Sequence, residues 1–259
     1  MADNTKVLYL CTEAGKALPF KAKFIQKVVT DPYQLIGDNG YIAQAANNPD
    51  KIDTIVIDSI TYLMSMFEQM YVNTSSDTRK AWGEYANYFK KLMLTEIPKL
   101  QASQKVIITA HTADIYNERE LALETLVKLK GSVMNEGVES YFTNIVSTKR
   151  VPLSALNGYE NKYLNITEDD KIEGFKYVFQ TRLTADTVNE RIRQPFNMWS
   201  RAETYIDNDL NYVVERLEEY YKELYETQFR KVLEHERERA DFKLPQSFKL
   251  PPDFNFPPH

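Results

Sequence analysis

Hydrophobic and polar positions along the chain separate into short apolar runs with polar ends and longer stretches at helical spacing. The clearest run is Asp53-Thr54-Ile55-Val56-Ile57-Asp58-Ser59, where three successive β-branched apolar residues are bounded by polar ones. That pattern predicts a fully buried strand of the kind found inside a parallel sheet. Lys6-Val7-Leu8-Tyr9-Leu10-Cys11 predicts a second strand, ending at Thr12-Glu13-Ala14-Gly15-Lys16, and Lys105-Val106-Ile107-Ile108-Thr109-Ala110-His111 a third buried one. Between them, helices are expected from Ile60 to about Tyr71 and from Thr78 to about Leu94. In the latter, Trp82, Tyr85, Phe89 and Leu92 recur at steps of three and four. Pro98 falls in a continuation that a helix start or kink tolerates. The segment from Pro19 to Asn48 is mixed, with a turn at Gly37-Asp38-Asn39-Gly40 and a short helix from Tyr41 to Asn47. Strands alternating with helices predict an α/β fold, a mostly parallel sheet with helices on both faces.

Downstream the pattern changes. Thr112 to Lys130 is charged and reads as a mobile loop or a helix, and Gly131 to Gly137 carries two glycines. Thr143 to Val151 and Phe175 to Leu183 read as strands, linked by an acidic excursion through Glu168-Asp169-Asp170, that form either a hairpin or neighbouring strands extending the sheet. From Asp209 to about Ala240 a stripe of Val213, Leu217, Tyr221 and Leu224 predicts one long helix. Its charged remainder is a solvated face. The last stretch is proline-rich with Phe248, Phe254 and Phe256, and cannot build a core. The expected organisation is a core over 1–209, an amphipathic helix over 210–241 and an extended Pro/Phe-rich tail over 242–259.

Composition narrows the function classes. The chain has 259 residues, 43% hydrophobic and 27% charged, enough for one substantial domain and an appendage. No uninterrupted apolar run is long enough to span a bilayer, and Met1-Ala2-Asp3-Asn4 lacks the start of a signal peptide. The expectation is a cytoplasmic protein with no membrane partner. One cysteine, Cys11, and three histidines leave neither an internal disulfide nor a zinc-ligand cluster. A net charge of −5 gives no global attraction for nucleic acid, so any DNA contact needs a local basic patch and should be salt-sensitive.

The chemistry sits at the strand ends. If the three strands neighbour one another in a parallel sheet, Glu13, Asp58 and His111 converge at its C-terminal edge, where ligands bind in open α/β sheets. There Asp58 either holds Mg²⁺ through water beside a nucleotide triphosphate or caps the next helix. Glu13 either orients and deprotonates an attacking water or is a solvated loop acid, and His111 either senses the terminal phosphate or is a satisfied strand-end histidine.

In order, Tyr9 to Leu18, Thr54 to Leu63 and Val106 to His111 resemble the strands of RecA-type ATPases. More narrowly, they resemble the phage-encoded RecA-like ATPases that accompany single-strand annealing proteins. The resemblance covers about Lys6 to Asp209 and implies a RecA-like fold. It makes Glu13 the catalytic glutamate and Asp58 the Walker B acid holding Mg²⁺ through water, with Ser59 beside it at the nucleotide. His111 becomes the residue coupling nucleotide state to a DNA-contacting loop at Thr112 to Asn135. Lys128 and Lys130 are then phosphate-facing, with Lys149 and Arg150 adding to the single-stranded DNA surface. Arg182, in Tyr177-Val178-Phe179-Gln180-Thr181-Arg182, fits the cation that reaches a neighbouring subunit's nucleotide, with Arg191 and Arg193 as alternatives. Such a cation requires a head-to-tail homo-oligomer. The implied cofactor is Mg-ATP, the partners single-stranded DNA and an annealing protein, and the setting the cytoplasm of an infected or lysogenic bacterial host.

One family element is missing. A Walker A loop, G-x-x-x-x-G-K-[ST], cradles the phosphates, and Glu13-Ala14-Gly15-Lys16-Ala17 has neither the earlier glycine nor the following hydroxyl. The expectation is that the loop lies upstream of Met1 or on a companion chain and that Mg-ATP binds only where it is supplied. The alternatives are a non-catalytic RecA-like subunit binding DNA or a partner, and an unrelated α/β protein.

Overall fold

A computed structural model describes residues 4–13, 16, 18, 21–118 and 121–238, with the backbone alone at 134–136 and 228–238. The tail at 242–259 and Gly15 lie outside the described residues. The described chain forms two compact units, residues 4–141 with 189–191 and residues 142–188 with 192–238. The stretch 1–209, expected as one core, is divided between them.

The first unit contains β1 (Val7–Cys11), β2 (Ile25–Val28), α1 (Tyr41–Ala46), β3 (Thr54–Asp58), α2 (Ile60–Phe67) and α3 (Thr78–Lys91). It continues with β4 (Lys105–Ile108), β5 (Thr112–Asn117), β6 (Ala122–Val127) and α4 (Gly131–Glu136). Four strands form a parallel sheet in the order β2-β1-β3-β4. The two inner strands, β1 and β3, carry the fully buried side chains of Val7, Leu10, Ile55 and Ile57, as their apolar runs require. β4 was expected to be buried as well, but its four residues are half-exposed, because among the described residues it pairs only with β3. β2 is an exposed edge strand absent from the sequence reading; its Ile25-Gln26-Lys27-Val28 lacks both alternation and a continuous apolar run.

Local chemistry sets the helix ends. Ser59 caps α2, its hydroxyl accepting from Tyr62 N, and Asp77 caps α3 by accepting from Lys80 N at 3.0 Å. Both helices run on into a single π-helical turn, Glu68–Val72 and Leu92–Glu96. Pro98 sits in the 3₁₀ turn Ile97–Lys99. α2 buries Ile60, Leu63, Met64 and Phe67, and α3 buries Ala81, Tyr85, Ala86, Tyr88 and Phe89. Phe67 is the hub of an aromatic cluster with Tyr33, Tyr71, Tyr85 and Tyr88. The segment from Thr112, read as loop or helix, is instead an antiparallel ribbon of β5 and β6. Its Thr-Ala-Asp-Ile-Tyr-Asn alternates exposed and half-buried positions, the period of a strand with one face covered.

The second unit holds β7 (Ser147–Pro152), α5 (Glu168–Glu173), β8 (Phe175–Gln180), β9 (Tyr205–Asp207) and α6 (Leu210–Glu238). β7, β8 and β9 make a separate antiparallel sheet in that order: β7 and β8 pair antiparallel, as in the hairpin alternative, and do not extend the parallel sheet. The acidic excursion is α5, opened by a Thr167–Asp170 capping box and closed by Gly174 at φ 78°, a left-handed position that glycine adopts without strain. Tyr163, Met198, Trp199, Ile206 and Val213 form a core, on which Leu217 of the expected α6 stripe also packs. Among the described residues no helix is long and apolar enough to cross a membrane.

Candidate functional site

Because all four strands of the first sheet run parallel, their C-terminal ends share one edge. Register aligns them: Cys11 stands opposite Asp58, and Ile57 opposite Ile108. The turns beyond the strands are stitched together. Thr12 N donates to the Asp58 carbonyl at 2.8 Å, Thr109 N to the Ile57 carbonyl at 3.1 Å, and Ile60 N to the Thr109 carbonyl at 2.9 Å. The buried Thr12 hydroxyl donates to the Ser59 carbonyl at 2.7 Å. The Asp58–Ser59 peptide is cis.

Asp58 is half-buried at this edge, and both its carboxylate oxygens are engaged. Oδ2 accepts the Tyr9 hydroxyl and Oδ1 the Thr109 hydroxyl. Tyr9 is 8% exposed and stacks on Phe24 at 6.0 Å. Burial, and then the Asp58 carboxylate beside it, push the Tyr9 phenol well above the ordinary range, so it stays protonated and a donor. The helix cap is Ser59, not Asp58. Ser59 is 1% exposed with its hydroxyl committed to Tyr62 N, and Asp58 is left facing the edge.

Glu13 lies at the same edge with its side chain 17% exposed. Lys16 Nζ reaches Oε2 at 3.0 Å and His111 Nε2 lies 3.3 Å from Oε1. The Lys16 ammonium, and to a lesser degree His111, hold the Glu13 carboxyl below its ordinary range against the opposing effect of burial. Tyr62 backs both partners: Lys16 lies 5.5 Å from its ring centre and the His111 ring meets it edge-on at 5.4 Å. His111 is also tied through its backbone. Its N–H donates to Thr61 Oγ1 at 3.0 Å, and its carbonyl accepts from Lys128 N at 2.8 Å, closing the base of the β5–β6 ribbon.

Glu13, Asp58 and His111, predicted from three separate strand ends, therefore do share one edge. The sequence reading missed Tyr9, Thr109 and Thr61 as site residues, and gave Lys16 no role. Thr109 could have been found as the polar residue one step past Ile108, directly alongside Asp58. The Tyr9 contact has no local signal, because it joins positions 49 residues apart.

The expected basic residues are dispersed. In the first unit Lys128 is exposed, and Lys130 pairs with the Glu68 carboxylate at 2.8 Å. Lys149 and Arg150 are consecutive on β7 of the second unit and so project from opposite faces of that strand, with Arg150 5.3 Å from the Phe175 ring centre. That alternation prevents these two from forming one patch. Also in the second unit, Arg182 is half-buried and donates from Nη1 to the Trp199 carbonyl at 2.6 Å. The Arg193 backbone bridges to Ile145, and Arg191, in the first unit, pairs with Glu124.

Among the described residues no group of three or more His, Cys, Asp or Glu side chains could enclose a metal ion. Mg²⁺ does not require such a cage, since it keeps several waters and commonly takes one or two carboxylates together with substrate phosphates. Asp58 suits that mode. An ionised carboxylate has about four lone-pair sites, and the two hydroxyl donors leave one free on each oxygen for metal-bound water.

Residues 2–147, more than half of the chain, match a family model described as an AAA domain. Searches of curated proteins and of solved structures return no match.

Proposed function

This chain belongs to the AAA domain family, which is P-loop NTPase-like; from that premise we propose that the edge carrying Glu13, Asp58, Thr109 and His111 is the carboxylate half of a magnesium–nucleotide site. The observation that carries the reading is the convergence of these groups at the C-terminal edge of one parallel sheet, stitched by the turn hydrogen bonds. Asp58, in the place of a Walker B acid, would hold Mg²⁺ by accepting hydrogen bonds from metal-bound water. When bound, the metal neutralises charge on the nucleotide's phosphates. Glu13, kept ionised by Lys16 and His111, accepts a hydrogen bond from the attacking water and orients it. His111 links that glutamate to the ribbon, since its carbonyl holds the ribbon base through Lys128 N.

A phosphate-cradling loop completes such a site, and the sequence contains no G-x-x-x-x-G-K-[ST] motif. The outer edge of β4 carries no strand among the described residues, while Val106, Ile107 and Ile108 are half-exposed there. The proposed loop arrives on a strand added at this edge, from a companion chain or from a segment continuous with this one. We place the protein in phage DNA recombination or replication, in the host cytoplasm. It binds single-stranded DNA through Lys128 and Lys130 at the foot of the ribbon, beside an annealing protein. Arg182 or Arg193 would act on a neighbour's nucleotide in a head-to-tail assembly.

The test is ATP turnover by the loop-completed assembly, with and without single-stranded DNA. Glu13→Gln should abolish turnover while sparing nucleotide binding, and Asp58→Asn should remove the gain in nucleotide affinity that Mg²⁺ gives. Turnover unaffected by either change refutes the assignment. The pairing of both Glu13 oxygens, one with Lys16 and one with His111, favours a second reading, a non-catalytic DNA-binding subunit. Under it, DNA affinity in fluorescence anisotropy is indifferent to ATP.

A further inference from the structure

We propose that Tyr9 and Thr109 are positioning residues that aim the Asp58 carboxylate, one from each flanking strand, and that they set the metal affinity of the sheet edge. The inference rests on the nucleotide-site reading above and goes beyond it by naming what prepares Asp58 before any ligand arrives.

Register accounts for both contacts. Ile108 stands opposite Ile57, so Thr109 is level with Asp58, and their side chains leave the sheet on the same face. A short β-branched hydroxyl at that point reaches Oδ1 directly. On the other flank Cys11 is level with Asp58, and Tyr9 lies two residues earlier on the same face. Two residues of strand span roughly 7 Å, a distance that a phenol lying along the sheet covers and a smaller side chain does not. The Tyr9 ring is fixed by its stacking on Phe24, with an interplanar angle of 22°, and by near-complete burial.

A carboxylate held at both oxygens from opposite sides has little freedom to turn about its last bond. Its remaining lone pairs therefore point in set directions toward the open edge, where Thr109 itself is exposed. Groups that hold a metal-facing carboxylate in this way typically change metal affinity by roughly ten- to a hundredfold when removed. The hydroxyls of Tyr9 and Thr109 both donate to Asp58, so they act through it.

The experiment is an Mn²⁺ titration of the chain followed by paramagnetic broadening of backbone amide signals, which detects weak binding and locates it. The wild-type chain should lose the amides of Thr12, Ser59 and Thr109 first, and Asp58→Asn should remove that localised loss. Tyr9→Phe, which keeps the stacked ring, and Thr109→Val, which keeps the shape, should each need about ten times more Mn²⁺ or above for the same broadening. Thr109→Ser should restore the wild-type response. The same amide spectra show that each variant is folded, and if Thr109→Val is not, Tyr9→Phe decides. Equal Mn²⁺ requirements for wild type, Tyr9→Phe and Thr109→Val, with Asp58→Asn still defective, overturn the positioning role and leave the site reading standing. Absence of localised broadening in the wild type, or its persistence in Asp58→Asn, overturns the positioning role, while the nucleotide-site reading stands or falls on turnover by the loop-completed assembly.

Discussion

Phe67 closes α2, the helix whose first turn carries the Ser59 cap and the Thr61 hydroxyl that holds His111. Its side chain is 0% exposed, and its ring lies 5.8, 5.0, 5.9 and 5.0 Å from those of Tyr33, Tyr71, Tyr85 and Tyr88. Phe67→Ala removes the ring and leaves a cavity that four tyrosines, three of them with their own hydrogen bonds, cannot readily fill. Phenylalanine-to-alanine changes in cores cost about 3–5 kcal/mol, and the poor prospect of collapse places this site near about 4 kcal/mol. Phe67→Leu keeps most of the apolar volume and loses the ring pairs, each worth about 0.5 kcal/mol or more beyond burial, for a total near about 2 kcal/mol. The chain has two tryptophans, Trp82 in the first unit and Trp199 in the second. In a Trp199→Phe background, urea unfolding followed by fluorescence therefore reports the first unit through Trp82. With a slope of about 2 kcal/mol per molar, Phe67→Ala should lower the midpoint by about 2 M and Phe67→Leu by about 1 M. A shift below about 0.5 M for Phe67→Ala, at unchanged slope, would refute the view that this ring anchors the helix under the site.

Three further outcomes are expected. Lys176, with 11% of its side chain exposed, lies 3.0 Å from Asp170 and 3.3 Å from Asp207; Lys176→Met strands two carboxylates and should destabilise the second unit by about 3–5 kcal/mol, read from Trp199 in a Trp82→Phe background. Ser59→Ala removes the α2 cap and should cost about 1 kcal/mol in the first unit's urea midpoint. Glu13 has a folded-state pKa below its ordinary 4.5, so its ion-pair contribution to stability is present above that value and lost as pH falls through the folded pKa. The midpoint difference between wild type and Glu13→Gln should accordingly shrink on acidification; a difference that stays constant to about pH 3 would contradict the pairing with Lys16 and His111.

Legibility followed the length over which a pattern is written. The inner strands β1 and β3 were evident because continuous apolar runs have no other good environment, and α3 and α6 because their stripes persist over several turns. β2 escaped notice because an edge strand needs neither an apolar run nor strict alternation. The β5–β6 ribbon reads as loop or helix because its charges mask the period-two alternation. Pairing was harder still: β7 and β8 were correctly expected to be strands, but nothing within them tells a separate antiparallel sheet from an extension of the first.

By itself, the sequence determined that polar residues would stand at the ends of apolar strands, and so that Glu13, Asp58 and His111 were the groups to follow. Burial on both faces is a property of one segment, and one segment's composition records it. Only the tertiary structure decided that Ser59 rather than Asp58 caps the helix, that Lys16 and His111 close on Glu13, and that Tyr9 and Thr109 take the two oxygens of Asp58. Those contacts depend on which strand lies beside which and in what register. Pairing free energy is shared between segments tens of residues apart, and no local run of residues encodes it.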